Sequence, residues 1–571
     1  MSNSDPLSQP EIAHSSMSAP DPTVRSETTI AEAQEILSHS ELSDLVILDQ
    51  SGDRVGSISR RDLEIAAHYG FSHAAVTGHM TVQYAVGEIA PALPSLFAAR
   101  SEGHHYAGDP HFLSFLQSRL DSALCQLLTV AANQAKERGW QLFLVGGAVR
   151  DLLLNSQNNF DNLLIEDIDL VVDGVDQPAD AGAGVELARS LQAQYPQARL
   201  EIHHKFQTAA LLWQDDLVFK CLGVDIATAR TEVYPYPAAN PVVEAGSIQQ
   251  DLYRRDFTIN ALAICLTQSR GENLLDFFWG TLDLQTKQVR VLHANSFIED
   301  PTRIYRAVRF AIRLGFTIEP QTEQLIRYAI ASGIFQNVRD PANPHFRHTT
   351  PALQTRLRSE LKYVLQAPYW LPALHRLADL GALTCIHPSL KADVSLWRQL
   401  RRGQAAGRIW NLNPLPVWLF RLEILLAHLP PEHRGERVAG LQLPVETSDR
   451  LQSLAATEVN ISIAVSNCSL PSQIVKVLKD YDLPMLMLVA IRSVGGDFRR
   501  TRALRKMIWC YLSDWALVKP PLNGKALKAL GYKPGSQFKS ILEALTNATL
   551  DGEICDRAEA EAFLQQNFPH Q

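Results

Sequence analysis

With 571 residues the chain is long for a single hydrophobic core, so several domains are expected. An apolar fraction of 46% with 20% charged residues is ordinary for a soluble globular protein. The formal charge of −8 excludes a uniformly basic nucleic-acid binder, so any such partner must meet a local basic surface. Seven cysteines (125, 221, 265, 385, 468, 510 and 555) lie far apart with no CxxC and no zinc spacing, which fits reduced thiols and argues against a disulfide framework. The N-terminus lacks a basic segment followed by an apolar core. No apolar run approaches a membrane span; PMLMLVAI (484–491) is much too short. The expectation is a soluble, multi-domain, cytoplasmic protein.

Residues 1–26, rich in Ser, Pro and Asp, are expected to be disordered. Over 27–85 a short α/β segment follows: a helix (IAEAQEILSHS), a strand (DLVILD), a turn at Ser51-Gly52-Asp53-Arg54, then a second strand-to-helix run. Gly56, Ser59 and Asp62 in that run make it resemble one cystathionine-β-synthase (CBS) repeat. Such repeats bind adenine nucleotides in pairs; the single copy here implies an adenine-nucleotide contact, a dimer contact or a leftover. Residues 86–110 read as a linker. Residues 111–265 alternate helical and strand patterns, with strands expected at 142–145, 168–172, 208–213, 217–222 and 224–229. After about 300 strand signals stop, and helical periodicity runs to the end, as in RIYRAVRFAIRLGF, LQTRLRSELKYVLQ and PVWLFRLEILLAHL. The expected fold is an α+β domain, a mixed sheet with helices, followed by an all-α half divided at about 370.

Chemistry concentrates between 142 and 172. The apolar run Leu142–Val145 stops at Gly146-Gly147, where a helical pattern begins; a second apolar run carries Asp167 and Asp169. Side chains two apart on a strand share a face, and adjacent carboxylates repel unless a hard divalent cation sits between them. A glycine turn entering a helix offers free N–H groups to phosphate. Further on, Arg254 and Arg255, with Asn260 five residues later, suit a triphosphate and a ribose hydroxyl; a solvated helix start with Asp256 as its cap explains them equally. The stretch Asp276-Phe-Phe-Trp-Gly280-Thr-Leu-Asp283 is a turn between apolar runs. Glu299-Asp300-Pro301-Thr302-Arg303 is an ordinary helix start, but Asp300 and Arg303, three apart, also present an acceptor beside a donor. That pair matches the Watson–Crick edge of cytosine or adenine and mismatches uracil and guanine, so it can select CTP and ATP without a template.

In order and spacing, GGAVRD (146–151), DID (167–169), RRDFTINA (254–261), DFFWGTLD (276–283) and EDPTR (299–303) resemble the successive motifs of class II tRNA nucleotidyltransferases. These are the CCA-adding enzymes with their CC-adding, A-adding and bacterial poly(A) polymerase relatives, in the polymerase-β superfamily. The likeness spans about 120–370 and continues more weakly over 519–545. It implies a catalytic head over 111–265, a nucleotide-recognition neck over 266–370 and a tRNA-binding helical body and tail over 371–571. It further implies that Asp167 and Asp169 hold two Mg²⁺ ions for in-line displacement of pyrophosphate. Asp225 is an additional carboxylate or a strand-edge residue. Gly146, Gly147 and Arg150 would cradle the triphosphate, and Arg254, Arg255, Asp256 and Asn260 would complete the triphosphate and ribose contacts. Glu299 would orient Arg303, while Arg306 and Arg309 would reach phosphates or face solvent.

Relatives that add the terminal A retain a flexible loop where this chain has the proline-rich stretch 231–245, and a CBS-like piece accompanies some A-adding enzymes. The resemblance therefore implies A addition from ATP to tRNA ending in CC, with full CCA addition from ATP and CTP close behind. A poly(A) polymerase and a silent RNA-binding regulator are the competing readings. Phosphate tracks for tRNA are expected at Arg398, Arg401, Arg402 and Arg408, at Arg499, Arg500, Arg502, Arg505 and Lys506, and at lysines 519, 525, 528, 533 and 539. No His-Asp doublet of the phosphohydrolase type appears in the helical half.

Overall fold

The computed structural model describes residues 23–40, 44–68, 72–73, 75–80, 120–156, 167–174, 182–268, 274–340, 342, 346–492 and 498–569. They divide into two units: one comprises Met1–Pro237, Pro241–Asp300 and Ile318–Ala329, the other Ala238–Asn240, Pro301–Thr317 and Ile330–Gln571. Most of the stretch expected to be disordered and the expected linker over 86–110 lie outside the described residues. The chain is already ordered at β1 (Thr23–Arg25), three residues inside the stretch expected to lack structure, because Val24 packs into an apolar cluster with Ile30, Leu45, Ile47 and Ile58.

In the first unit, β1 pairs in parallel with β2 (Asp44–Leu48), which pairs antiparallel with β3 (Arg54–Ser59). The helix Ile30–Ser38 lies between β1 and β2 and starts at a capping box. Thr29 Oγ accepts from Glu32 N (3.3 Å) and Glu32 Oε2 accepts from Thr29 N (2.8 Å). The helix Arg60–His68 follows β3 directly.

The main sheet has seven strands: β4 (Gln141–Val145), β5 (Asp167–Asp173), β6 (Arg199–His203), β7 (Thr208–Leu212), β8 (Gly223–Thr228), β11 (Ala263–Cys265) and β12 (Leu274–Leu275), in the order β12-β11-β4-β5-β8-β7-β6. Only β5 and β8 pair in parallel; the other neighbours are antiparallel. Helices Ser122–Glu137, Gly147–Ser156 and Ala183–Gln194 pack against the sheet, so its central strands read as near-continuous apolar runs. The sheet reaches Leu275, past the expected domain end at 265. The apolar run 217–222 is not a strand: Asp216 Oδ1 accepts from the backbone N–H groups of Val218 and Phe219 (2.8 Å each), and the local turn wins over strand propensity. The proline-rich stretch is no simple loop either. Arg230–Val233 (β9) and Val242–Ala245 (β10) form an antiparallel hairpin.

The second unit is helical, and the three helices expected from periodicity appear as Arg303–Leu314, Phe346–Gln366 and Val417–Ala427. Where the chain passes from one unit to the other, the short strand Thr317–Ile318 departs from the all-helical expectation after 300. Two arginines of the expected phosphate tracks have structural work: Arg402 Nη1 donates to Ile491 O (3.1 Å) and Arg505 Nε to Ala490 O (2.9 Å). Both therefore satisfy carbonyls at the end of the helix Leu483–Ile491, where cations are favoured. Arg398, Arg401 and Arg408 and lysines 519, 525, 528, 533 and 539 are exposed. A separate apolar cluster, including Leu522, Leu527, Ile541, Leu545 and Leu564, holds the last helices together. Among the described residues, no helix is long and apolar enough to cross a membrane.

Candidate functional site

The acidic pair sits as the spacing requires. Asp167 and Asp169 alternate with buried Ile168 and Leu170 on β5, so both carboxylates leave the same, open face. In register with Asp169 on the parallel neighbour β8 is Asp225, which the sequence left as either an extra carboxylate or a strand-edge residue. On the other side, Asp169 lies opposite Val145 at the end of β4, one residue before the glycine turn.

The carboxylates feel one another. Protein crowded around Asp169 strips part of its hydration and raises its pKa above the usual carboxylate value. The Arg255 guanidinium opposes this, and Asp167 and Asp251 reinforce it. Asp225 is raised as well, first by partial burial and then by the charges of Asp169 and Asp167. Like charges at neighbouring positions of one sheet face, each a hard oxygen donor, suit a divalent cation. Among the described residues only His387, His433 and Glu436 bring three ligand atoms within 4.8 Å of one another, so the three aspartates are not collapsed on one point. The histidine trio is a poor cation site. His387 Nδ1 already accepts the Ser389 N–H (3.1 Å), and Arg437 and Arg339 add positive charge beside it.

Gly146 closes the other side of this face. Its φ is +71°, and a Cβ there would lie 2.9 Å from Arg255 Nη1 and 3.2 Å from Asp169 Oδ2. A side chain would be strained in the backbone and wedged between a guanidinium and a carboxylate. Gly147 begins the helix Gly147–Ser156, whose first N–H groups have no intrahelical acceptor.

Both arginines of the 254–255 pair are aimed by carboxylates. Asp251 is fully buried; its Oδ1 accepts from Arg254 Nη2 (2.7 Å) and its Oδ2 from Arg255 Nη2 (3.0 Å). Glu232 on β9 takes Arg254 Nη1 (2.7 Å). Burial alone would raise the Asp251 pKa, but Arg255 and then Arg254 outweigh it and hold the group below the usual carboxylate range. Neither Asp251 nor Glu232 was expected at the site. Asp251 was legible in principle, three and four residues before two arginines at a helix end; Glu232 reaches Arg254 only through the hairpin.

Asp256 and Asn260, expected at the triphosphate and ribose, are buried behind Arg150. Asp256 Oδ1 accepts from Asn260 Nδ2 (3.0 Å), and Asn260 Oδ1 accepts from Arg150 Nη1 (2.6 Å). Arg150 is itself buried and paired with Asp151 (2.8 Å). The chain positions Arg150 from behind. The stretch 276–283 fastens the same region. Asp276 accepts from Gly280 N (2.8 Å) and Thr281 N (2.9 Å), Asp283 accepts from Thr258 Oγ1 (2.6 Å) and pairs with Arg290 (3.0 Å), and a Cβ on Gly280 would lie 2.3 Å from Thr258 O.

A cavity of about 350 Å³ adjoins Arg254, lined also by Glu232, Tyr253, Phe278, His293 and Glu299. Tyr253 stacks on His293 (5.3 Å between ring centroids) and lies 5.8 Å from Phe278, giving the cavity an aromatic wall that sequence patterns do not reveal. Glu299 contacts His293 Nε2 (3.4 Å). In the other unit Arg303 opens the helix Arg303–Leu314 and is buried. Arg306 and Arg309 both pair with Glu360 (3.3 Å each), Arg306 staying partly exposed, and Arg309 lies over the Tyr363 ring (4.9 Å).

Comparison with known proteins agrees with this arrangement. A family model for the poly A polymerase head domain matches residues 142–290. The A-adding tRNA nucleotidyltransferase of Geobacter sulfurreducens is 28% identical over 95% of this chain and 63% of its own length. The enzyme of the same name from Aquifex aeolicus is 38% identical over 71% of this chain and 44% of its own. The chain thus spans less than two thirds of either relative. The solved Thermotoga maritima CCA-adding enzyme complexed with tRNA superposes with a TM-score of 0.58 at 27% identity, covering 79% of this chain and 98% of that one.

Proposed function

We propose, for a chain that belongs to the family of tRNA nucleotidyltransferases and poly(A) polymerases, that it adds AMP from ATP to the 3′ end of tRNA ending in CC, without a template and with release of pyrophosphate. The observation that carries the reading is the acidic ladder of Asp167, Asp169 and Asp225 beside the Gly146 turn and Arg255. The donor set fits Mg²⁺. Bound by Asp167 and Asp169, Mg²⁺ would lower the charge barrier between the primer hydroxyl and the triphosphate.

The protein's own groups do the rest. The N–H groups that open the helix after Gly146, with Arg254 and Arg255 held by Asp251, bind the triphosphate oxygens and orient the leaving pyrophosphate. Arg150, supported by Asn260 and Asp256, adds a fixed positive charge that needs no rearrangement during transfer. The cavity between Arg254 and Glu299 suits the nucleoside, with Tyr253 as a stacking face. Asp300 accepts from the adenine amine; Glu299, which meets His293, supports the helix that leads into it. Exposed lysines 525, 528, 533 and 539 with Arg398 and Arg401 supply the phosphate contacts for tRNA.

A-only addition is favoured by the A-adding relatives described above. The test is incorporation of each labelled NTP into tRNA transcripts lacking A, CA or CCA. A single A on the CC-ended transcript is expected. Efficient C incorporation into the shortest transcript makes it a CCA-adding enzyme instead, and long ladders on any RNA make it a poly(A) polymerase.

A further inference from the structure

Among the described residues, the N-terminal α/β segment meets the main fold at the helix Pro320–Ala331 and at the start of the helix Ser296–Glu299. Asn295 occupies the N-cap of this helix, where an asparagine side chain ordinarily accepts from the first free N–H groups. It makes no such bond here. Its backbone carbonyl accepts from Ile298 N and Glu299 N (2.9 Å each), but its side chain turns to the N-terminal segment. Nδ2 donates to Asp62 O (3.1 Å), and Oδ1 lies 2.7 Å from His79 Nδ1. Both residues are fully buried.

The pattern fixes the tautomer. Asn295 Nδ2 is spent on Asp62 O, so Oδ1 must accept the His79 Nδ1 proton, and Nε2 is left to accept from the Tyr328 hydroxyl (3.0 Å). Burial lowers the pKa of this imidazole, partly offset by the Asn295 hydrogen bond. Tyr328 also meets the ring edge-on at 5.1 Å, and Gln321 Nε2 donates to Met80 O (2.6 Å). The Ser59–Asp62 pair that gave the segment its CBS-like look is turned inward. Ser59 Oγ donates to Asp62 Oδ2 (2.6 Å), and this corner presents the Asp62 carbonyl to Asn295.

We propose that the segment 23–80 is a positioning element for nucleotide selection, acting through His79 and Asn295 on the helix that carries Glu299 and leads into Asp300. An N-cap that gives up its own helix to hold another segment leaves the orientation of that helix dependent on the segment's seating. His79 and Asn295 are positioning residues, and they touch no substrate. The inference rests on the reading of Asp300 as the group that accepts from the base.

The test compares the full-length protein with His79→Ala, His79→Asn, Asn295→Ser and Asp300→Ala, reading the KM for ATP, kcat, and the ratio of ATP to GTP incorporation. His79→Ala and Asn295→Ser each raise the KM for ATP about tenfold and lower the ATP preference similarly, with kcat near wild type. His79→Asn, which keeps an amide donor toward Asn295, restores most of the preference. Ser at 295 can cap the helix itself, so Asn295→Ser keeps the test available if His79→Ala does not fold. Wild-type KM and preference in a folded Asn295→Ser protein overturn the proposal while Asp300→Ala still loses preference. Unchanged preference in Asp300→Ala overturns the base reading itself.

Discussion

Asp251→Asn is a sharp perturbation of the triphosphate site, because one buried carboxylate aims two arginines. In the native site its two oxygens take Arg254 at 2.7 Å and Arg255 at 3.0 Å with no solvent access. The amide keeps one acceptor oxygen and turns an N–H₂ toward the other guanidinium, donor against donor. A charge-assisted hydrogen bond contributes about 1.5–3 kcal/mol, and removing one partner of a buried pair costs about 3–5 kcal/mol. Glu232 still compensates Arg254, so the lower end, about 3 kcal/mol, is expected. Arg255 loses the buried carboxylate that aims it. Losing about 2 kcal/mol of phosphate binding corresponds to a rise of about thirtyfold in the KM for ATP. Urea unfolding of the sheet-containing unit and steady-state kinetics measure the two effects. A loss below about 1 kcal/mol, the size of an exposed pair, with an unchanged KM would refute the clamp.

Gly146→Ala places a Cβ 2.9 Å from Arg255 Nη1 at a φ of +71°, so activity should fall at least about a hundredfold, while stability drops only about 1–2 kcal/mol; a fully active alanine variant would contradict the close approach. The raised pKa values of Asp169 and Asp225 give a pH signature. Their protonation favours the metal-free fold fully below the unfolded value of about 4, and that contribution is lost as pH rises through the raised folded values. Added Mg²⁺ should therefore raise the melting temperature more at about pH 8 than at about pH 5, and a pH-independent shift on calorimetry counts against cation binding there. Replacing Lys525, Lys528 and Lys533 with glutamine should weaken tRNA binding and reduce the salt slope by about 2–3; an unchanged slope removes those lysines from the interface.

Much of the fold was written in local pattern. The runs 142–145 and 168–172 became central strands because helices cover them, and the change to helical periodicity after 300 marks the second unit. The run 217–222 misled because Asp216 makes an Asx-type turn that overrides apolar composition. At the site, spacing alone put Asp167 and Asp169 on one face. It could not show that Asp225 lies beside Asp169, since that depends on a parallel pairing between strands more than 50 residues apart. Asp256 and Asn260 looked like ligand contacts, but a motif does not say which side chains face the ligand and which brace the ones that do. Arg306 and Arg309 kept their helical spacing and met Glu360, a partner no local pattern announces.

Metal-dependent transfer of labelled AMP to a CC-ended tRNA, compared between the native protein and Asp169→Asn under single-turnover conditions, bears most directly on the account. One AMP per tRNA in the native protein, strict dependence on a divalent cation and a loss of at least about a thousandfold in the variant are predicted, the amide removing a metal ligand while leaving the strand intact. An Asp169→Asn protein that transfers AMP at near-native rate would contradict it.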